Sequence, residues 1–207
     1  MTQTFHIHPD NPQQRLIRQA AEIIRKGGLI AYPTDTTYAL GCGIGEKGAL
    51  DRLIQLRRLD DKHQFSILCA DLSEIATYAR VSNTDYRLLK AHTPGAYTFI
   101  LQGTGEVPRR LMHEKKRTIG IRVPDHAICQ ALLAELGVPI MTSTLHMPGD
   151  EYPLTDPYDI ETVLRGRVDL IIDGGFGGLD ETTVVSLVDE DGPVIVREGA
   201  GPVDRIF

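Results

Sequence analysis

Apolar residues recur at helical spacing over Leu16, Ile17, Ala20, Ala21, Ile23 and Ile24, and the stripe stops at Gly27-Gly28. Asn11 as a cap, Pro12 in the first turn and glycines past the end together predict a helix. A β-type run, Leu29-Ile30-Ala31-Tyr32, follows and is cut by Pro33. The polar, glycine-rich segment TDTTYALGCGIG reads as a loop, and a second helix is predicted from about Gly48 to Arg58. Further strands are expected at 65–70, 97–101, 118–123, 139–145, 169–173, 182–189 and 193–198. Helices are expected at 72–79, 82–91, 126–136 and 157–165. Helices and strands alternate early while strands cluster late. The fold class is therefore α/β (α+β), a mixed sheet with helices packed on it. The polar turns YPTDTT and MTSTLH, each ending a strand, would meet at one rim of that sheet, where open sheets place ligands.

Alternation marks one strand as unusual. In Thr118-Ile119-Gly120-Ile121-Arg122-Val123, Thr118, Gly120 and Arg122 share the face opposite Ile119, Ile121 and Val123. A charge inside an apolar strand is costly unless partnered, so Arg122 either walls a polar cleft or meets a carboxylate.

Composition narrows the class. The 207 residues are 42% apolar and 24% charged, which fits one globular domain spanning 1–207. The net charge of −6 argues against a surface coated for duplex nucleic acid, though not against a local basic groove. No apolar run of about eighteen residues and no signal-peptide core is present, so no membrane partner is expected. Cys42, Cys69 and Cys129 are odd in number and at no metal spacing, and read as buried thiols of a cytoplasmic protein. No metal site is implied by the scattered histidines.

Several segments have the residue types for ligand binding, each with a bland alternative. The Thr34–Thr37 loop offers hydroxyls to a small polar ligand or merely satisfies its own turn. Arg57 and Arg58, with Lys62 beside them, suit phosphate, or sit solvated at a helix end favoured by its dipole. Thr142-Ser143-Thr144 could meet phosphate or be β-formers before a turn. Gly174-Gly175-Phe176-Gly177-Gly178 lacks the Walker lysine and reads as a flexible turn. Thr182, Thr183 and Arg197 add polar positions to late strands.

In this order the segments resemble the YrdC-like family. GGLIAYPTDTTYALGCG is similar to that family's opening motif, TIGIRVPDH to its arginine-bearing strand, and PIMTSTLHMPG to its hydroxyl-rich turn. DLIIDGG, ETTVVSLVD and VIVREG resemble its closing series, and RRLDD, AYTFIL and EVPRRL are most similar to the YciO branch. The resemblance runs from about residue 11 to about residue 200. It implies a twisted open sheet around a large, positively lined concavity. It also implies threonylcarbamoyl-AMP synthesis: L-threonine, bicarbonate and ATP, with Mg2+ carried on the phosphates, give threonylcarbamoyl-AMP and pyrophosphate for tRNA modification. The alternative it leaves is a tRNA-, rRNA- or double-stranded-RNA-binding protein, to which Arg109, Arg110, Lys115, Lys116 and Arg117 would contribute.

Carried over by motif, Thr36, Arg122 and Thr182 would contact threonine. Arg57, Arg58, Lys62, Thr118, Ser143 and Arg197 would contact the nucleotide. The family's Lys-x-Arg-Pro-x-x-Asn-Pro-Leu becomes RRLDDKHQFS, its Ser-Ala-Asn becomes Ser143-Thr144-Leu145, and Asp60 and Asp61 add negative charge nearby. No protein nucleophile is implied, so no catalytic residue is assigned.

Overall fold

Strict alternation in the strands sorts the side chains into two apolar layers and one polar patch, and that sorting builds the molecule. The computed structural model describes residues 1–60 and 62–207, so Asp61 lies outside the described residues. In chain order the elements are β1 (Gln3–His6), α1 (Gln14–Arg25), β2 (Ile30–Pro33), β3 (Tyr38–Gly43), α2 (Lys47–Arg57) and β4 (Ser66–Leu68). There follow α3 (Leu72–Tyr78), α4 (Asn83–His92), β5 (Tyr97–Gln102), a 3-10 turn (Arg109–Leu111), β6 (Thr118–Arg122) and α5 (Ala127–Leu136). The chain ends with β7 (Ile140–Thr144), α6 (Pro157–Leu164), β8 (Leu170–Asp173), β9 (Thr183–Ser186) and β10 (Val194–Arg197). The ten strands of the described residues form one mixed sheet in the order β1-β8-β2-β3-β7-β4-β6-β5-β9-β10.

The predicted helices and strands fall within a few residues of these bounds. Two strands differ. TDTTYALGCGIG is not a loop throughout: Tyr38–Gly43 is a buried strand, antiparallel to both β2 and β7. Gly41 is there for closeness rather than for a turn, since a Cβ would lie 2.8 Å from the Tyr32 ring and 2.9 Å from Ile140. β1 is the second addition, a four-residue edge strand parallel to β8. Helix α1 also starts later than Asn11-Pro12 suggests, at Gln14.

On one face of the sheet, Ile30, Tyr32, Ile140 and Ile172 pack against α1 through Ile17 and Ile24 and against α5 through Ile128 and Leu132. On the other face, Ala31, Leu40, Ile67, Phe99, Ile121 and Val185 share a cluster with apolar residues of α2, α3, α4 and α6. Strand β2 is buried throughout, as a central strand with helices on both faces must be. Cys42, Cys69 and Cys129 are free and buried.

Further along the first face the apolar side chains give way to polar ones. The register aligns Thr142, Ser66, Gly120 and Ile100 across β7, β4, β6 and β5. Thr98 of β5 pairs with Val184 of β9. This row is the floor of a cavity.

Candidate functional site

The cavity has a volume of about 380 Å³, in the range of small-molecule sites. Its floor is the aligned row just described, and its walls are Arg57, His63, Arg122, Ser143, Glu181, Thr182 and Arg197. Gly120 keeps the floor low, since a Cβ there would lie 2.5 Å from Ser66 Oγ and 3.1 Å from Thr98 Cγ2.

Alternation along β6 sends Arg122 to this side, and both readings of its charge hold at once. Its Nη2 donates to Asp35 Oδ1 at 2.9 Å and to Thr36 Oγ1 at 3.2 Å. Asp35 is fixed in turn by the Asp125 amide, which donates to its other oxygen at 3.0 Å. The pair is buried, with side-chain exposures of 7% and 8%. Arg122 Nε is the buried side-chain nitrogen or oxygen that lacks a hydrogen-bond partner among the described residues. An unmet buried donor costs about 1–3 kcal/mol, so the guanidinium that Asp35 and Thr36 hold at the cavity wall is not fully satisfied by the protein.

At another wall, Arg57 ends α2 and reaches across to β7. Its Nη1 donates to Ser143 Oγ at 2.5 Å and its Nε to the His146 carbonyl at 3.0 Å. Burial lowers its pKa from the usual arginine value, with Glu181 partly opposing the shift. The ring of His63 stands 3.4 Å from Ser143 Oγ and edge-on to Phe65. Burial, and then the Arg57 charge, hold its pKa below the ordinary histidine value despite Asp60. On the far side, Arg197 donates to the Thr182 carbonyl at 2.9 Å and pairs with Glu181, while Thr182 and Thr98 share a hydrogen bond of 2.7 Å between their hydroxyls.

Of the residues singled out from the sequence, Arg57, Arg122, Ser143, Thr182 and Arg197 converge on this cavity. Thr36 stands behind Arg122 as its acceptor. Arg58, Lys62 and Thr118 are not among the lining residues. Arg58 takes a left-handed backbone (φ 50°) that ends α2, and its side chain opens instead onto a separate depression with Arg52 and Arg167. Lys62 lies exposed in the following turn, and Thr118 is buried at the start of β6. His63 closes the basic segment that begins at Arg57 but carries no assigned role in the sequence reading, and Thr98 and Glu181 are not among the candidates. Thr98 is legible in the alternation of YTFIL, whereas His63 and Glu181 come from irregular segments that carry no periodic signal.

The glycine-rich stretch after β8 is a brace rather than a flexible turn. Gly178 N donates to the Thr36 carbonyl at 2.8 Å, and Tyr38 Oη donates to the Gly175 carbonyl at 2.7 Å. In the basic stretch, Arg110 is paired with Asp51, and Arg109, Lys115, Lys116 and Arg117 are exposed.

Among the described residues no helix is long and apolar enough to cross a membrane, and no group of three or more His, Cys, Asp or Glu side chains could hold a metal ion.

The same fold recurs in known proteins. The uncharacterised protein YciO of Escherichia coli (strain K12) is 57% identical over 203 residues, 98% of each chain. The crystal structure of E. coli YciO matches with a TM-score of 0.96 over 100% of both chains. The threonylcarbamoyl-AMP synthase of Bacillus subtilis (strain 168) is 30% identical over 205 residues, covering 98% of this chain and 58% of that protein. The structure of Pyrococcus abyssi Sua5 complexed with L-threonine matches with a TM-score of 0.88 at 27% identity, over 100% of this chain and 59% of that one. The Sua5/YciO/YrdC family profile, described as "Telomere recombination", matches residues 22–199. With the motifs in order, the cavity they build and a match over most of its length, the chain belongs to the Sua5/YciO/YrdC family.

Proposed function

We propose that the protein makes a carbamoyl-adenylate, with L-threonine as its amino acid: threonine, bicarbonate and ATP become threonylcarbamoyl-AMP and pyrophosphate. The observation that carries this reading is the Arg122 guanidinium, which lines the cavity while Asp35 and Thr36 hold it in place. A planar guanidinium fork suits a carboxylate, which the amino acid supplies. The threonine complex of Sua5 supports that choice.

In this proposal Arg122, Thr36 and Thr182 hold the threonine end, and Arg57, Ser143 and Arg197 the nucleotide end. The threonine amine attacks the carbon of bicarbonate, losing a proton and releasing water, to give a carbamate. A carbamate oxygen then attacks the α-phosphorus, and pyrophosphate leaves with the bridging oxygen. Such chemistry needs reactants in line and anionic charge neutralised, and a cavity walled by Arg57, Arg122 and Arg197 supplies the second. Glu181, the carboxylate lining the cavity, is already paired with Arg197. That donor set suits a Mg2+ ion that arrives on the phosphates and keeps its waters, rather than one caged by protein. The product would feed tRNA modification.

The test is to incubate purified protein with labelled bicarbonate, L-threonine, Mg-ATP and pyrophosphatase, and to detect threonylcarbamoyl-AMP by mass. Catalytic formation of product is the expected result. Absence of product, together with failure of ATP and threonine to bind, would overturn the synthase reading and leave RNA binding as the account to pursue, with affinity falling steeply as salt rises.

A further inference from the structure

The cavity holds one titratable group that the proposed chemistry leaves idle. His63 lines the wall at the Arg57 end, and its Nε2 stands 3.4 Å from Ser143 Oγ. The Ser143 oxygen already accepts from Arg57 Nη1 at 2.5 Å, so its own hydrogen is available to a ring nitrogen that acts as acceptor. Guanidinium, hydroxyl and imidazole thus form one chain, in which an imidazole that is unprotonated at Nε2 accepts from Ser143.

The charges around the ring explain why it rests neutral. Arg57 faces it from α2, and Asp60 lies in its own loop. Ser143 comes from β7, and Phe65 stands edge-on with its centroid 4.9 Å away. Arg122, Glu181 and Arg197 line the rest of the cavity. Burial and Arg57 both disfavour a second positive charge at this end, and Asp60 only partly offsets them. A phosphate lodged against Arg57 and Ser143 reverses that balance. It neutralises the guanidinium, takes the Ser143 hydroxyl as a donor, and sets an anionic oxygen where Nε2 has been accepting. An acceptor facing an anion is repulsive, and a donor is needed there.

We propose that His63 is a phosphate ligand of this cavity that binds as the imidazolium, so that nucleotide binding takes up a proton. The inference rests on the nucleotide reading given above and adds to it a residue and a measurable proton.

The sign follows from the two states. The free protein holds His63 below the ordinary histidine value of 6.5, and a neighbouring anion raises it. Uptake is confined to the window between the free and bound values. Affinity rises as pH falls through the bound-state value and levels off below the free-state value. Each unit by which the anion raises the imidazole pKa strengthens acid-side binding about tenfold.

The experiment is calorimetric titration of the full chain with Mg-ATP near neutral pH, in buffers of different ionisation enthalpy, on the wild type and on His63→Gln. Glutamine keeps a hydrogen-bonding partner for Ser143 and cannot titrate. The nucleotide's own protonation is common to both proteins and cancels in their difference. His63 lies in a loop outside the helices and strands, and thermal unfolding checks that the variant is folded. The expected result is that the wild type takes up a fraction of a proton more than the variant. The wild type also gains about tenfold in relative affinity between about pH 8 and about pH 6. Binding by both proteins with equal proton counts and parallel pH profiles would overturn the imidazolium while leaving the nucleotide reading intact. Failure of the folded wild type to bind Mg-ATP at any pH would overturn the nucleotide reading and this inference with it.

Discussion

Arg122 sits at the junction of stability and binding, and substitution separates the two. Its pair with Asp35 is 2.9 Å long and nearly closed to solvent, and Asp35 keeps the Asp125 amide as a second partner. Arg122→Met strands a buried carboxylate. Removing one member of such a pair costs about 3–5 kcal/mol, which for a chain of this size is a loss of about 6–20 °C in Tm. Asp35→Asn keeps an acceptor for the Asp125 amide and strands the guanidinium instead. The double variant carries neither charge, so its cost is smaller than the sum of the two singles by about 1–3 kcal/mol. Urea unfolding of the four proteins measures this cycle, and L-threonine titration of the same four measures binding. The double variant is less destabilised than the two single costs would sum to, and it recovers none of the threonine affinity, because in the proposed site Arg122 meets the carboxylate. Costs that add to within about 0.5 kcal/mol would refute the argument that the pair acts as a unit. Threonine affinity retained in the folded double variant would remove Arg122 from the site.

Other substitutions probe the cavity's floor and brace. Gly120→Ala places a methyl 2.5 Å from Ser66 Oγ, a hydroxyl that can rotate away, so stability falls by only about 1 kcal/mol while ligand affinity falls at least tenfold by titration. Gly178→Ala sets its methyl 2.4 Å from the Thr36 carbonyl, a backbone atom that cannot swing aside; the expected cost is about 1–3 kcal/mol by denaturation, with weaker threonine binding as Thr36 shifts. Burial pushes the Cys42 thiol up to about 12 and raises Cys69 and Cys129 as well, so all three stay protonated in mildly alkaline buffer. A thiol-reactive dye should label none of them in the native protein and all of them in urea, and rapid native labelling would contradict the burial.

The elements most legible in the sequence were those whose burial is one-sided. The stripe of α1 and the alternation of β6 follow directly from facing an apolar layer, and Arg122 betrayed the cavity because a charge broke an apolar run. The glycines of β3 look like turn residues in the sequence, whereas Gly41 is needed so that the Tyr32 ring can lie close against the strand. Arg57 and Arg58 are neighbours in sequence and suggest one basic site. The left-handed backbone at Arg58 turns them to different surfaces, a dihedral that no residue pattern announced. His63 enters the site only through tertiary packing, since its partners Arg57 and Ser143 come from α2 and β7.

The strand order carries a consequence for how the protein matures. The cavity's walls begin with Arg57 at the end of α2 and are finished by Arg197 in β10, the last strand in the chain. During synthesis, a nascent chain that has emerged through β9 already carries Arg57, Arg122 and Ser143 but not the arginine that ties down Glu181 and Thr182. Bringing Arg57 of α2 and Arg197 of β10 to one cavity joins positions far apart in sequence, and such pairings form only after loop-closure entropy has been overcome. The proposed site is thus completed last, when the sheet has been assembled as far as β10.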